Sequence, residues 1–303
     1  MQPVKILIAD NIDTSGVKLL PPKKFEVKSE IGISNQDIIR SYRDYDVLLI
    51  RSVRSIDKSF IKNTSFKVIA TGSKGTDHID VEFAAENGIR ILNADDSNNI
   101  SAAEHTLALI LAIEKRLLFS DKLVRGNRFG FYDYERNELY GKSIGIVGFG
   151  KVGSYVGKLC EAFGMKVYAN DIDKKVIIKN KNFIFKSLNF LLKNCEFISI
   201  HIPLDKKNFH FFSKEKLRLL NKRSVLINTS RGDMIDEKYL IKMLEKNEIR
   251  FAGLDVFSGE PAVDKRLGAL DNVVLSNHIA GKTEQSRRKV SENIFRQIRD
   301  FYS

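Results

Sequence analysis

Three charged or titratable residues stand just past three apolar runs in the second half of the chain. Arg231 lies in Asn228-Thr229-Ser230-Arg231-Gly232, Glu260 in Asp255-Val256-Phe257-Ser258-Gly259-Glu260-Pro261, and His278 in Asn277-His278-Ile279-Ala280-Gly281. Each follows a segment with strand character: Arg223 to Asn228, Phe251 to Val256 and Val273 to Ser276. In a doubly wound sheet such strand ends converge on one crevice. A guanidinium there can grip a carboxylate and polarise the carbonyl next to it. A histidine exchanges a proton near neutral pH, and a carboxylate beside it holds its tautomer and raises its pKa. The set suits hydride transfer to or from a 2-oxo acid. Taken singly, each has a plainer reading as a turn histidine, a surface ion pair or a loop acid. Their joint placement favours chemistry.

A second pattern supplies the redox partner. The run Ile144, Ile146, Val147 ends in Gly148-Phe149-Gly150-Lys151-Val152-Gly153, and a helix-like segment follows through Gly164. A strand turning on glycines into a helix builds an anion site from backbone N–H groups and the helix dipole. Gly148 permits the turn, Gly150 the close approach of a pyrophosphate, and Gly153 the packing of helix on strand. The next strand, Met165 to Ala169, leads to Asp171, where a ribose-binding acid belongs. Strand, turn, helix, strand and acid in this order predict a dinucleotide site, and the acid predicts NAD. Lys174 and Lys175 follow close behind and leave room for NADP.

These sites need elements to carry them. Strand-like runs at Val4 to Ala9, Phe25 to Glu30, Asp46 to Ile50, Lys67 to Thr71 and Ile89 to Leu92 alternate with helical segments, which predicts an α/β unit with a mostly parallel sheet. The loops after the third and fourth strands, Arg51-Ser52-Val53-Arg54 and Gly72-Ser73-Lys74-Gly75, lie where ligands collect. Ser97 to Arg116 reads as one long helix, begun at Ser97 or capped at Ser101, and apolar on more than one face. Such a helix is expected between domains or subunits. Arg125 to Tyr140 reads as a loop, and Glu284 to Phe301 as a final amphipathic helix.

Composition sets the bounds. The 303 residues suffice for two domains, and 43% hydrophobic with 29% charged residues is ordinary for a soluble globular protein. Without a long apolar run or a signal-peptide pattern, the expectation is a cytoplasmic protein with no membrane partner. Cys160 and Cys195 offer no metal spacing and read as packing residues. The net charge of +12 is densest around Lys174, Lys175, Lys179, Lys181 and Lys186, near Phe183 and Phe185. No nucleic-acid motif accompanies it. A solvated lysine-rich surface is expected, whose field gathers small anions.

Over nearly its full length the chain resembles the D-isomer-specific 2-hydroxyacid dehydrogenase family. The motifs that carry the resemblance begin with Ala70-Thr71-Gly72-Ser73-Lys74-Gly75-Thr76-Asp77-His78-Ile79-Asp80, Ala103-Glu104-His105 and the glycine loop. They continue through His201-Ile202-Pro203-Leu204, Asn228 to Gly232, Gly253-Leu254-Asp255-Val256-Phe257, Glu260-Pro261 and His278 to Gly281. The resemblance implies a Rossmann-type cofactor domain (98–281) inserted in a split, flavodoxin-like substrate domain (1–97 and 282–303), both doubly wound parallel sheets. It implies Arg231 on the substrate carboxylate and carbonyl, His278 as acid/base, Glu260 as its partner and Asp255 near the nicotinamide carboxamide. NAD is expected on Gly148, Gly150, Lys151, Val152, Gly153, Asp171, His201, Pro203, Thr229, Asp255 and Gly281. A homodimer through the cofactor domain and the long helix is usual in such proteins.

Arg51, Ser52, Arg54, Ser73, Lys74, Gly75 and Asn98, with Arg231 and His278, are expected at the substrate. Leu49-Ile50-Arg51-Ser52 and Asp96 to Ser101 resemble the substrate-side loops of family members that act on 3-phosphoglycerate/3-phosphohydroxypyruvate, as in serine biosynthesis, and Arg51, Arg54 and Lys74 would give that phosphate several donors. Glyoxylate or hydroxypyruvate reduction is the alternative, and an NAD-sensing corepressor-like protein a remote one. Four departures from the family pattern stand out: Asn277 for proline, Asp95-Asp96 for Pro-Gly, Lys74 for a small residue, and Asn208 for threonine. None touches Arg231, Glu260 or His278. The chain ends at Ser303, so feedback inhibition by serine through an appended domain is not expected.

Overall fold

The computed structural model describes residues 2–73, 75–94, 97–129, 135–205 and 207–303. Two compact units divide the chain: Met1–Asn98 with Lys282–Ser303, and Asn99–Gly281.

The first unit is a five-stranded parallel sheet of β1 (Val4–Ile8), β2 (Phe25–Ser29), β3 (Val47–Ile50), β4 (Val68–Thr71) and β5 (Arg90–Asn93), in the order β2-β1-β3-β4-β5. That is the flavodoxin-like order. The central strands VLLI and VIAT are buried throughout, as expected of a parallel sheet covered on both faces. Short helices begin at side-chain caps where Ser34, Asp57 and Asp80 accept from backbone N–H groups. The final helix, Glu284–Phe301, is capped by Thr283 and belongs to this unit, with Ile294, Phe295 and Ile298 buried among Ile6, Ile8, Val47 and Val68. It presses so close to Gly16 that the Gly16 N–H donates to Ser291 Oγ at 2.9 Å and a side chain there would strike the Ser291 carbonyl.

At the rim of the strand ends the Arg54 side chain is only 9% exposed and paired with Asp10 at 2.7 Å. Its remaining N–H groups go to Asn35 Oδ1 (2.7 Å) and the Ile33 carbonyl (2.8 Å), while Asp10 also accepts from the Arg51 N–H at 2.9 Å. One guanidinium thus ties together the loops after β1, β2 and β3.

The second unit holds β6 (Ser143–Val147), β7 (Lys166–Asn170), β8 (Ile184–Phe185), β9 (Phe197–Ile200), β10 (Val225–Asn228), β11 (Phe251–Leu254) and β12 (Val273–Leu275). All pairings are parallel, in the order β12-β11-β10-β9-β6-β7-β8. Renumbered from β6, this is the Rossmann order with one further strand, and the switch point falls between β6 and β9. The register aligns Val147, Ile200, Asn228, Leu254 and Leu275 in one row. Gly148, His201, Thr229, Asp255 and Ser276, the next residues, all leave the sheet at the same level.

The long helix is shorter than its sequence pattern. It spans Asn99–Glu114, starting between the two expected caps, and Ser101 is buried inside it. Arg116, the expected last residue, adopts a left-handed conformation (φ 51°), and a separate helix Leu117–Arg125 fills the unassigned stretch up to the start of the expected loop. The apolar faces of Asn99–Glu114 are covered within its own unit by the helix Lys151–Ala162 and by β10, β11 and β12. Its last residue, Glu114, is buried and paired with Arg250.

Removing one partner of a buried ion pair costs about 3–5 kcal/mol. Arg54→Met is therefore expected to lower the unfolding free energy by about 3 kcal/mol, near the lower end of that range. Chemical denaturation checks this, and an unchanged midpoint would show that the Asp10 pair is not formed.

Candidate active site

The glycine loop joins β6 to the helix Lys151–Ala162, whose N-cap is Gly150. Gly148 has φ +88°, reachable at low cost without a side chain, and a Cβ there would strike the His201 backbone. At Gly153 a Cβ would run into the Gly148 carbonyl oxygen, so strand end and helix are in backbone contact. Among the described residues, nothing beyond its chain neighbours lies within 4 Å of the Cβ position of Gly150. The loop therefore combines a tight base with an open mouth lined by helix N-terminal N–H groups, a cradle suited to a pyrophosphate. Lys151 and Val152 form the first turn of that helix.

Asp171 follows β7 and fastens the loop. Its carboxylate accepts from the Phe149 N–H at 2.7 Å and the Asp173 N–H at 2.9 Å. Across the switch point, His201 donates its backbone N–H to the Val147 carbonyl (2.8 Å), and its Nε2 lies 2.7 Å from Ser199 Oγ. Burial pushes the His201 pKa down to about 3, so this imidazole is neutral at physiological pH. Pro203 accepts Asn208 Nδ2 at 3.0 Å, which closes the turn after His201.

The three loops with Arg231, Glu260 and His278 interlock. Asn228, fully buried at the end of β10, accepts from the Ser230 N–H and hydroxyl and donates Nδ2 to the Arg231 carbonyl. Gly232 next to it leaves no room for a side chain against the Phe257 carbonyl, so the Arg231 loop lies backbone to backbone on the Glu260 loop. Ser258 reinforces this contact, donating its hydroxyl to Asp233 Oδ1 at 2.6 Å and its N–H to Glu237 Oε2 at 3.0 Å. Burial raises the Glu237 pKa. Glu260 Oε1 accepts from the Phe257 N–H (3.0 Å), and Glu260 Oε2 lies 2.7 Å from His278 Nδ1. A carboxylate there makes Nδ1–H the donor and leaves Nε2 for another partner.

Asp255 underlies His278. Its carboxylate is wholly buried and accepts from Ser276 Oγ (2.6 Å), the Ile279 N–H (2.9 Å) and the Ala280 N–H (2.9 Å), with His105 Nε2 3.4 Å away. Burial pushes its carboxyl up, but the bonds from His105, Ser276, Ile279 and Ala280 outweigh that and hold it below the ordinary value. The Asp255 carbonyl also accepts the His278 N–H at 2.8 Å. Residue 278 is thereby fixed at φ +54°, uncommon for a side chain other than glycine. Gly281 ends the same segment.

In the first unit, Arg51 and Ser52 follow β3, and Ser73 bonds within its own loop to Thr71 Oγ1 (2.9 Å) and the Gly75 carbonyl (2.8 Å). Asn98 is the last residue of that unit's first segment. Lys74, Asp95 and Asp96 lie outside the described residues. Arg54 is held in its pair with Asp10. Sequence reading missed the supporting residues: Asp10, His105, Thr106, Asn228 and Ser276 carried no assigned role.

Fold and loop together define an α/β protein of the dinucleotide-binding type with a histidine–carboxylate pair at its strand ends. The family model "D-isomer specific 2-hydroxyacid dehydrogenase, NAD binding domain" matches residues 107–280, and the chain belongs to that family. It is 34% identical to D-3-phosphoglycerate dehydrogenase of Methanocaldococcus jannaschii over 98% of its own length and 57% of that protein's. It is 33% identical to glyoxylate reductase of Pyrococcus furiosus, over 97% of this chain and 91% of that one. The chain thus spans little more than half the length of the phosphoglycerate dehydrogenases it matches. Among solved structures, D-lactate dehydrogenase from Aquifex aeolicus, complexed with NAD and lactic acid, aligns with a TM-score of 0.85 at 26% identity, covering 98% of this chain and 95% of that one. The matched family domain is an NAD-binding one, and the open cradle at Gly150 suits a pyrophosphate.

Gly153→Ala is expected to weaken NADH binding at least about tenfold, because helix and strand must part to admit the methyl group. Fluorescence titration of NADH measures this. Unaltered affinity would mean that the cofactor does not depend on this turn.

Proposed function

We propose that the protein is an NAD-dependent oxidoreductase that interconverts a D-2-hydroxy acid and its 2-oxo acid. The observation that carries this reading is the 2.7 Å contact between Glu260 and His278 Nδ1, at the level of the sheet where the glycine loop also emerges. NAD, when bound, accepts or supplies the hydride. Gly148, Gly150, Lys151, Val152 and Gly153 would hold its pyrophosphate, and Asp171 the adenosine ribose. His201, Pro203, Thr229, Asp255 and Gly281 complete the cofactor's surroundings in this reading. Asp171 disfavours a 2′-phosphate by like charge, which supports NAD over NADP.

His278 Nε2 donates a proton to the carbonyl oxygen in reduction and removes it from the hydroxyl in oxidation. Glu260 holds the tautomer and stabilises the imidazolium. Arg231 grips the substrate carboxylate and draws electron density from the adjacent carbonyl. An intact acid/base pair also argues against a purely NAD-sensing role, which has no chemical need of it.

The split relatives leave two substrate readings. Likeness to phosphoglycerate dehydrogenase supports 3-phosphohydroxypyruvate, with Arg51, Ser52, Ser73, Lys74, Gly75 and Asn98 around it. The burial of Arg54 against Asp10 favours a smaller acid such as glyoxylate or hydroxypyruvate, because it removes one cation from the phosphate site. A screen of NADH and NADPH oxidation over these acids and pyruvate tests the reading. Turnover with NADH is expected, and His278→Ala is expected to lose roughly 10²–10⁴-fold in turnover while still binding NADH. Absence of turnover on every acid, or a variant as fast as the parent, would sink it.

A homodimer belongs to the same proposal. The helix Leu117–Arg125 buries none of its residues, and Leu117, Leu118 and Val124 on it, with Phe129 beyond, are more than half exposed. A second copy would cover this apolar surface. Light scattering is expected to give twice the chain mass, and Leu118→Glu to give monomers. A monomeric parent would remove the dimer from this account.

A further inference from the structure

His105 and Thr106 are neighbours on the helix Asn99–Glu114, and each reaches a different catalytic loop. Ser276 Oγ has one proton, which it gives to Asp255 at 2.6 Å. The 2.8 Å contact between Ser276 Oγ and His105 Nε2 therefore requires the imidazole to donate. His105 is thus an Nε2–H donor that faces both Ser276 and, at 3.4 Å, Asp255 Oδ1. Through Asp255 it bears on the backbone N–H groups of Ile279 and Ala280, and so on the turn of His278. Thr106 gives its own proton to the Ala102 carbonyl at 2.8 Å. Its 3.0 Å contact with Thr229 Oγ1 is then a bond donated by Thr229, two residues before Arg231.

We infer that His105 and Thr106 are positioning residues for the reaction: one rigid helix turn holds the His278 loop with the first and the Arg231 loop with the second. The spacing of acid/base and guanidinium is then set by the helix and not by the loops themselves. Thr106 is fully buried and His105 largely so, which protects both bonds from competition with water. A shift of about 1 Å in a catalytic group costs up to about 10²-fold in rate. The inference rests on the proposed roles of His278 and Arg231.

The test uses the full chain with His105→Ala, His105→Gln and Thr106→Val. His105→Ala is expected to lower kcat about 10- to 100-fold on whichever 2-oxo acid the parent reduces, with NADH affinity unchanged. His105→Gln, whose amide can donate to Ser276, is expected to restore most of it. Thr106→Val is expected to raise KM for the 2-oxo acid several-fold, again at constant NADH affinity. Proton–nitrogen spectra of the imidazoles give a readout independent of turnover. The His278 Nδ1–H signal is expected to be sharp in the parent, broadened in His105→Ala and recovered in His105→Gln. Unchanged kcat and an unchanged signal in His105→Ala would overturn the inference while leaving the proposed function standing. So would a Gln variant no better than Ala. If the parent reduces no acid, the functional reading fails, and the His278 signal alone still decides whether His105 positions that loop. Should His105→Ala not fold, the Gln and Val variants decide it: normal KM in Thr106→Val with a broadened signal in His105→Gln would overturn the inference.

Discussion

A buried carboxylate with nowhere to put its charge organises this protein. Asp255 has no access to solvent, and an unpaired ion in that position would cost several kcal/mol. The chain after β12 meets that demand by folding the Ile279 and Ala280 N–H groups onto it. Hydrogen bonds to a charged group contribute about 1.5–3 kcal/mol each, more than the roughly 1–2 kcal/mol of a left-handed residue. The left-handed turn at His278 is therefore stable, and that turn delivers the imidazole to Glu260. The geometry of the His278–Glu260 pair is a by-product of satisfying one buried anion.

The sheet makes such an arrangement possible. Val147, Ile200, Asn228, Leu254 and Leu275 share a row, so five loops leave the second unit at one level. Both faces of the sheet are buried, so a slip of one residue would exchange the side chains packed beneath the two helix layers. Loops that start level can share residues, as Gly232 on Phe257 and Ser258 on Asp233 do. The first unit repeats the device on a smaller scale, with Asp10 as anchor and Arg54 as tie.

Much of this was legible from residue order because it is local. The glycine loop and Asp171 follow from spacing within one strand–turn–helix–strand unit, the three strand ends from the apolar runs before them, and the parallel pairing from alternation. Long-range partners were hidden. Arg54 and Arg51 look alike as loop arginines, and only Asp10, 44 positions from Arg54, tells them apart. His105 lies 171 positions from Ser276, so nothing near it in sequence marks it as a support. The expected end of the long helix at Arg116 falls at the left-handed residue, while the helix Leu117–Arg125 beyond it, which buries none of its residues, was left unassigned.

A crystal structure of the protein with NADH and oxamate, an unreactive 2-oxo acid mimic, tests the central claim most directly. The expected result has the oxamate carboxylate on Arg231, its carbonyl oxygen within hydrogen-bond reach of His278 Nε2 (about 2.6–3.2 Å), and the NADH pyrophosphate at Gly150. Oxamate bound away from the Arg231–His278 pair, or His278 turned from Glu260 with the cofactor in place, would contradict it.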